Sequence, residues 1–244
     1  MNFQENINSS IDWFIYKSSF TSQSLLVFGY FLLLYFIVGN LFLYICKTLE
    51  NKKIIHKIVN EAVPKKQERF EIKHSLMSIV IFAFSGWPIV YFVRNGVVSL
   101  EKTTGMTVII GVILLNCWNE IHFFLVHRLM HTRWFMKNVH IIHHRSRIPT
   151  IYSVYSFHPL EAILLSTVPL TLVFIFPLSP LAIAIYPFTS IVLNLIGHCN
   201  YRIWGKPGPS WFRLATSHNE HHVIGKQNFG FASSLLDKLI KRKK

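Results

Sequence analysis

The chain has 244 residues, of which 51% are hydrophobic, 15% aromatic and only 15% charged. It is too apolar for an ordinary soluble domain and long enough for several membrane-spanning helices. A formal net charge of +14 does not read as a nucleic-acid surface, because the cations flank apolar runs instead of interleaving with aromatics in a polar domain.

Residues 1–23 carry Glu5 and Asp12 and lack a basic leader, which argues against a cleavable secretory signal. Ile11, Trp13, Phe14, Ile15 and Phe20 predict a segment lying along the membrane surface. Residues 24–46 are uncharged and apolar; as a helix they reach about 34 Å, enough to span a bilayer. The connection over residues 47–74 holds Lys47, Lys52, Lys53, Lys57, Lys65, Lys66, Arg69 and Lys73, and is predicted to be cytoplasmic by the positive-inside rule. Residues 75–93 form the second predicted span, kinked at Gly86-Trp87-Pro88.

After a polar loop over residues 94–105, the run 106–126 returns through the membrane. It admits Asn116, Asn119, Glu120 and His122, which are costly in lipid unless they face a site. Residues 160–176 and 178–197 read as an apolar pair around the turn Pro177-Leu178-Ser179-Pro180. Such a hairpin returns His198 to the face on which it began. Residues 199–217, with Tyr201, Trp204, Trp211, Phe212 and Arg213 around Pro207-Gly208-Pro209, are predicted to be interfacial, and the tail 241–244 is a basic anchor. Cys46, Cys117 and Cys199 form no CxxC pair and are expected to be free thiols. The expected fold is therefore an all-α integral membrane protein of about four to five transmembrane helices with a cytoplasmic, histidine-rich helical cap.

Ten of the 13 histidines fall in this cap. His127 and His131 are spaced i, i+4, while His140, His143 and His144 are spaced i, i+3, i+4, as are His218, His221 and His222. On a helix each set shares one face. A lone histidine of this kind is more often a hydrogen-bonded core residue than a ligand. Eight in three boxes would repel one another as cations, and a shared metal explains their recurrence. Imidazole suits iron, zinc, copper or nickel. Eight or more donors exceed the need of one tetrahedral zinc, so the count argues for two metals.

The order Glu120…His127-Arg128-x-x-His131, His140-x-x-His143-His144, His158-Pro159-x-Glu161, His198-x-Asn200, His218-x-x-His221-His222 resembles the fatty acid hydroxylase and sterol desaturase superfamily. Asn228-Phe229-Gly230…Asp237 is similar to that family's closing segment. The resemblance divides the chain into an N-terminal membrane region (1–105), a hydroxylase-like catalytic region (106–240) and the tail (241–244). It implies a membrane-bound, non-haem enzyme with two iron ions, replaceable by zinc in a purified sample, that uses O₂ to hydroxylate or desaturate a lipid, acyl chain or sterol. Electrons come from a reduced nicotinamide through a separate cytochrome-b or ferredoxin type carrier.

By position, the family's metal ligands carry over to His127, His131, His140, His143, His144, His198, His218, His221 and His222. His158, Glu120 and Asn228 stand as ligands or supports, Glu120 either orienting a ligand histidine or pairing with Arg128. The substrate tail is expected between the spans 75–93 and 106–126. A bacterial inner membrane and an endoplasmic reticulum membrane both suit this topology. The rival readings are a zinc-dependent membrane hydrolase, which would want a glutamate in an HExxH arrangement, and a non-catalytic metal-binding membrane protein.

Overall fold

A computed structural model describes residues 3–203 and 214–240. The segment around Trp204, Pro207-Gly208-Pro209, Trp211, Phe212 and Arg213, and the tail 241–244, lie outside the described residues. A short helix α1 (Phe3–Asp12) precedes α2 (Phe20–Asn51), α3 (Lys65–Arg94) and α4 (Gly105–Met130). The second box ends in α5 (Ile141–His144), followed by α6 (Pro159–Val173), α7 (Pro180–His198), α8 (Leu214–Ile224) and α9 (Leu235–Ile240). Among the described residues the strands are the two-residue pair β1 (His56–Lys57) and β2 (Tyr201–Arg202). The chain is an all-α membrane protein.

α2, α3, α4 and α7 are long and apolar enough to cross a membrane, and α6 is a shorter apolar helix. Their burial runs opposite to that of a soluble bundle. Leu25, Leu26, Ile37, Leu41, Ile109, Ile113 and Leu125 point outward, while Gln23, Ser24, Ser75, Ser78 and Asn119 are buried. Lipid is as apolar as leucine, so packing in a bilayer selects small and polar residues for the seams. Gly111 is the tightest such seam: a Cβ built there would lie 2.6 Å from the Ala182 Cβ. Gly111→Ala should therefore force α4 and α7 apart, costing on the order of 1–3 kcal/mol of overpacking strain. Thermal unfolding in detergent checks this, and an unchanged midpoint would show that the seam yields freely.

Several helices extend beyond their apolar runs. α3 starts at Lys65, ten residues before the second apolar run, because Pro64 caps it in an extended conformation and good helix formers follow. Its turn at Ser85-Gly86 separates Lys65–Phe84 from Trp87–Arg94, the expected kink. α4 opens with a reciprocal cap in which Thr107 N donates to Thr104 Oγ1 (3.2 Å) and Thr104 N to Thr107 Oγ1 (2.9 Å). α6 packs against both α3 and α4. The groove expected between those two spans is thus filled along one side by the first arm of the hairpin.

The two ends of the bundle are closed differently. At one end, Glu101 N donates to Leu178 O (3.0 Å), Thr103 pairs with Ser179, and Gln4 Nε2 reaches Thr103 O (3.1 Å). α1 is thereby pinned beside the hairpin turn. At the other end, the connection from α2 to α3 meets the chain leaving α7. Asn200, in the left-handed region at φ 58°, accepts from Val59 N (3.0 Å) and donates to Val59 O (2.9 Å). Tyr201 Oη donates to Glu50 (2.7 Å). This second end carries every histidine box.

Candidate metal centre

The first box occupies the last two turns of α4, with His131 at its C-cap. A π-helical turn over Met136–His140 leads into α5, so the second box sits where the helix is locally widened, a feature frequent at functional sites. His198 closes α7, and α8 carries the third box. These four segments converge. His127, His131, His140, His144 and His221 form one group and His143, His198, His218 and His222 another, each with ligand atoms within 4.8 Å of one another. All nine histidines singled out from the sequence are present in the two groups.

Neither HxxHH box stays together. The i, i+4 pair His140 and His144 joins the first group while His143 joins the second, and His218 and His222 join the second while His221 joins the first. The groups abut: the rings of His144 and His222 are 5.0 Å apart, and those of His143 and His140 are 5.5 Å apart. In the five-histidine group His131 is half-buried and His144, 9% exposed, lies at the margin of burial, whereas all four of the other group are buried.

The hydrogen bonds select the tautomer. His127 Nδ1 donates to Phe229 O (3.0 Å), His221 Nδ1 to Gln227 O (2.7 Å) and His198 Nδ1 to Asn194 O (2.9 Å). A carbonyl only accepts, so each Nδ1 holds the proton and each Nε2 keeps its lone pair. His140 Nδ1 lies 2.8 Å from Glu161 Oε1 in the same sense. The Nε2 atoms of His127, His140 and His221 are buried without a protein partner, an expensive state unless a cation takes the lone pairs.

Between other pairs Nε2 faces Nε2, at 3.0 Å for His198–His218 and His218–His222 and 3.3 Å for His131–His144. Two nitrogens ~2.1 Å from one metal, at 90–109° to each other, sit about 3.0–3.4 Å apart. The residues therefore fit a metal, and iron suits an all-imidazole donor set.

Burial, and then repulsion from His221 and His144, pushes the His131 imidazole down to about 3. Burial likewise lowers His144 to about 4. His140, His143, His218 and His222 are held well below their ordinary value by burial first and by neighbouring imidazoles second. Neutral rings at pH 7 are the form that ligates.

The three residues weighed as ligand or support lie around this core. His158 caps α6, its Nδ1 accepting from Leu160 N (3.1 Å). Asn228, at φ 61°, donates to Ser217 O (3.1 Å) and to Glu220 Oε2 (3.3 Å). Glu120 accepts from Ala232 N (2.8 Å) and from Ser233 N and Oγ (3.1 Å each), while Arg128 lies over the Phe124 ring.

Glu161 is the residue that the choice of site residues missed. It is 2% exposed and holds His140. The available signal was His158-Pro159-Leu160-Glu161 itself: a cap, proline at the first helical position and an acid in the first turn, where the helix dipole favours negative charge. Glu71, also fully buried, takes Thr150 Oγ1 (2.5 Å) and Gln67 Nε2 (2.8 Å), tying the loop after the second box to α3.

Comparison with known proteins agrees with this geometry. The sequence profile described as fatty acid hydroxylase matches residues 112–242. Sphinganine C4-monooxygenase 2 of Arabidopsis thaliana is 29% identical over 127 residues, covering 51% of this chain and 48% of that protein. Lathosterol oxidase of Homo sapiens is 24% identical over 182 residues, 72% of this chain and 60% of that protein. A probable Delta(7)-sterol 5(6)-desaturase of Neurospora crassa is 24% identical over 234 residues, 92% of this chain and 64% of that protein. The chain thus spans 48–64% of the length of these three relatives. No solved structure matches it. With more than half its length matched by that profile and nine imidazoles drawn into one centre, the chain belongs to the fatty acid hydroxylase family, within the fatty acid hydroxylase and sterol desaturase superfamily.

Proposed function

We propose that the chain is a membrane-bound oxidase that uses O₂ and two electrons to hydroxylate or desaturate a C–H bond of a lipid, acyl chain or sterol-like substrate, with hydroxylation the preferred outcome. The observation that carries this reading is the pair of adjoining groups of neutral imidazoles, which suit two iron ions side by side. The relatives' names, a monooxygenase of sphinganine and oxidases or desaturases of sterols, support the same class of substrate.

When bound, iron supplies the activation of O₂ and the removal of hydrogen from an unactivated carbon. The chain's own residues do the rest. Phe229, Gln227 and Asn194 carbonyls and the Glu161 carboxylate keep the ligand protons on Nδ1. Phe157 and Phe229 pack on the rings, His143–Phe157 at 5.1 Å and His131–Phe229 at 5.0 Å, and exclude water from the centre.

The exposed lysines at the histidine end, Lys52, Lys53, Lys65 and Lys66 among them, support a cytoplasmic orientation by the positive-inside rule. There a separate electron carrier of cytochrome-b or ferredoxin type has access from water, while substrate comes laterally from the bilayer. The zinc hydrolase fares less well. It would use Glu220, which precedes His221, as its base, yet that carboxylate already accepts from Asn228.

The test is metal content and product together. Detergent-purified chain expressed with ample iron should hold close to two irons per chain and, with reductant and O₂, yield an oxidised lipid. One zinc per chain, unmoved by iron supply, would favour the hydrolase, and no metal would end the enzyme reading.

A further inference from the structure

Two buried or half-buried features remain outside the reading above: the carboxylate of Glu120, half-buried on α4, and the chain that follows the third box. Residues 225–234 leave α8 at Gly225, whose φ of 67° and N–H to His221 O (2.7 Å) turn the chain back. The segment then runs along α4 as a strap. Gln227 O and Phe229 O take the Nδ1 protons of His221 and His127. The Phe229 ring lies 5.0 Å from His131, 5.5 Å from His221 and 5.7 Å from His127. Phe231 meets Phe123 at 4.9 Å.

Two carboxylates hold this strap. Asp237 accepts from Phe229 N (3.1 Å) and Gly230 N (2.9 Å). Glu120 accepts from Ala232 N and from both donors of Ser233. Glu120 lies seven residues before His127 on the same helix, hence on the same face and about 10 Å along the axis. Gly230 must be glycine for the strap to close, because a Cβ there would run into the Ser233 carbonyl. The strap's carbonyls serve the five-histidine group alone: in the other group His198 is held by its own helix, at Asn194 O.

We propose that Glu120 and Asp237 are positioning residues for the five-histidine group, acting at a distance by clamping the strap whose Phe229 and Gln227 carbonyls orient His127 and His221. The clamp closes the more exposed of the two metal positions, the one that includes His131 and His144, and leaves the buried position untouched. This deepens the two-iron reading and rests on it. It gives the Glu120 carboxylate a task other than ligation, and it makes the two metals unequal in how tightly the protein holds them.

The full chain in detergent, loaded with ⁵⁷Fe, separates the two ideas. Iron release to a chelator and Mössbauer spectra would be recorded for the parent, Glu120→Gln, Asp237→Asn and the double variant. The parent should hold two irons. Each single variant should release one iron about 10–100-fold faster, the range for removing a group that orients a ligand imidazole, and alter the quadrupole doublet of that iron only. The double variant should be little worse than the more severe single, since both carboxylates act on one strap. Parental release from both sites in the single variants overturns the inference, as does joint loss of both irons, which marks general unfolding. A parent without two irons overturns the two-metal reading and this inference with it.

Discussion

Alanine at His143 or at His222 should abolish turnover and lower bound metal while leaving the chain in the membrane. Both side chains belong to the four-histidine group and are buried. Losing a supporting contact to a ligand costs 10–100-fold in affinity or activity, so losing one donor of four should cost at least ~10²-fold. Insertion should survive because the apolar runs of α2, α3, α4 and α7 contain neither residue. Metal per chain, measured beside membrane fractionation, checks this. Full activity in either variant would remove its histidine from the ligand set.

Glu161→Ala should be nearly as damaging although Glu161 ligates nothing. Its carboxylate is buried, 2.8 Å from His140 Nδ1, and its second oxygen has no protein partner. Without it the His140 ring loses both its tautomer and its orientation, and the centre loses a negative charge that offsets the cations. Metal affinity should fall about 10–100-fold. Glu161→Gln separates the two contributions. Its amide oxygen still accepts from Nδ1, so orientation is kept while the charge is lost, and the fall should be smaller. Chelator competition on both variants, alongside activity at saturating iron, reads this out. Equal losses in the two variants would show that charge, not orientation, is what Glu161 supplies, and parental affinity in both would show that His140 needs neither.

Much of this protein was legible in its sequence because the deciding signals are local. An uncharged run over residues 24–46 has one cheap conformation in lipid, since only a helix satisfies its own backbone there. Spacings of three and four name shared helix faces, and eight histidines at such spacings name a metal centre before any contact is known. The Gly86-Trp87-Pro88 interruption and the hairpin turn before Pro180 are local in the same way.

Tertiary structure decided what depends on residues distant in sequence. Spacing places His140, His143 and His144 on one face, yet His143 goes to a different group from its neighbours, because donors arrive from α7 and α8 on that side. Glu120 aligns with the first box along α4, but its carboxylate meets Ala232 and Ser233, over a hundred residues away. Glu161 looks like an ordinary first-turn acid until α6 docks beneath His140. Hydrogen-bond partners and the division of the histidines between the two groups are properties of approach and orientation across the fold. Periodicity carries the direction in which a side chain leaves its own helix, and only the packing of the other helices determines what it meets.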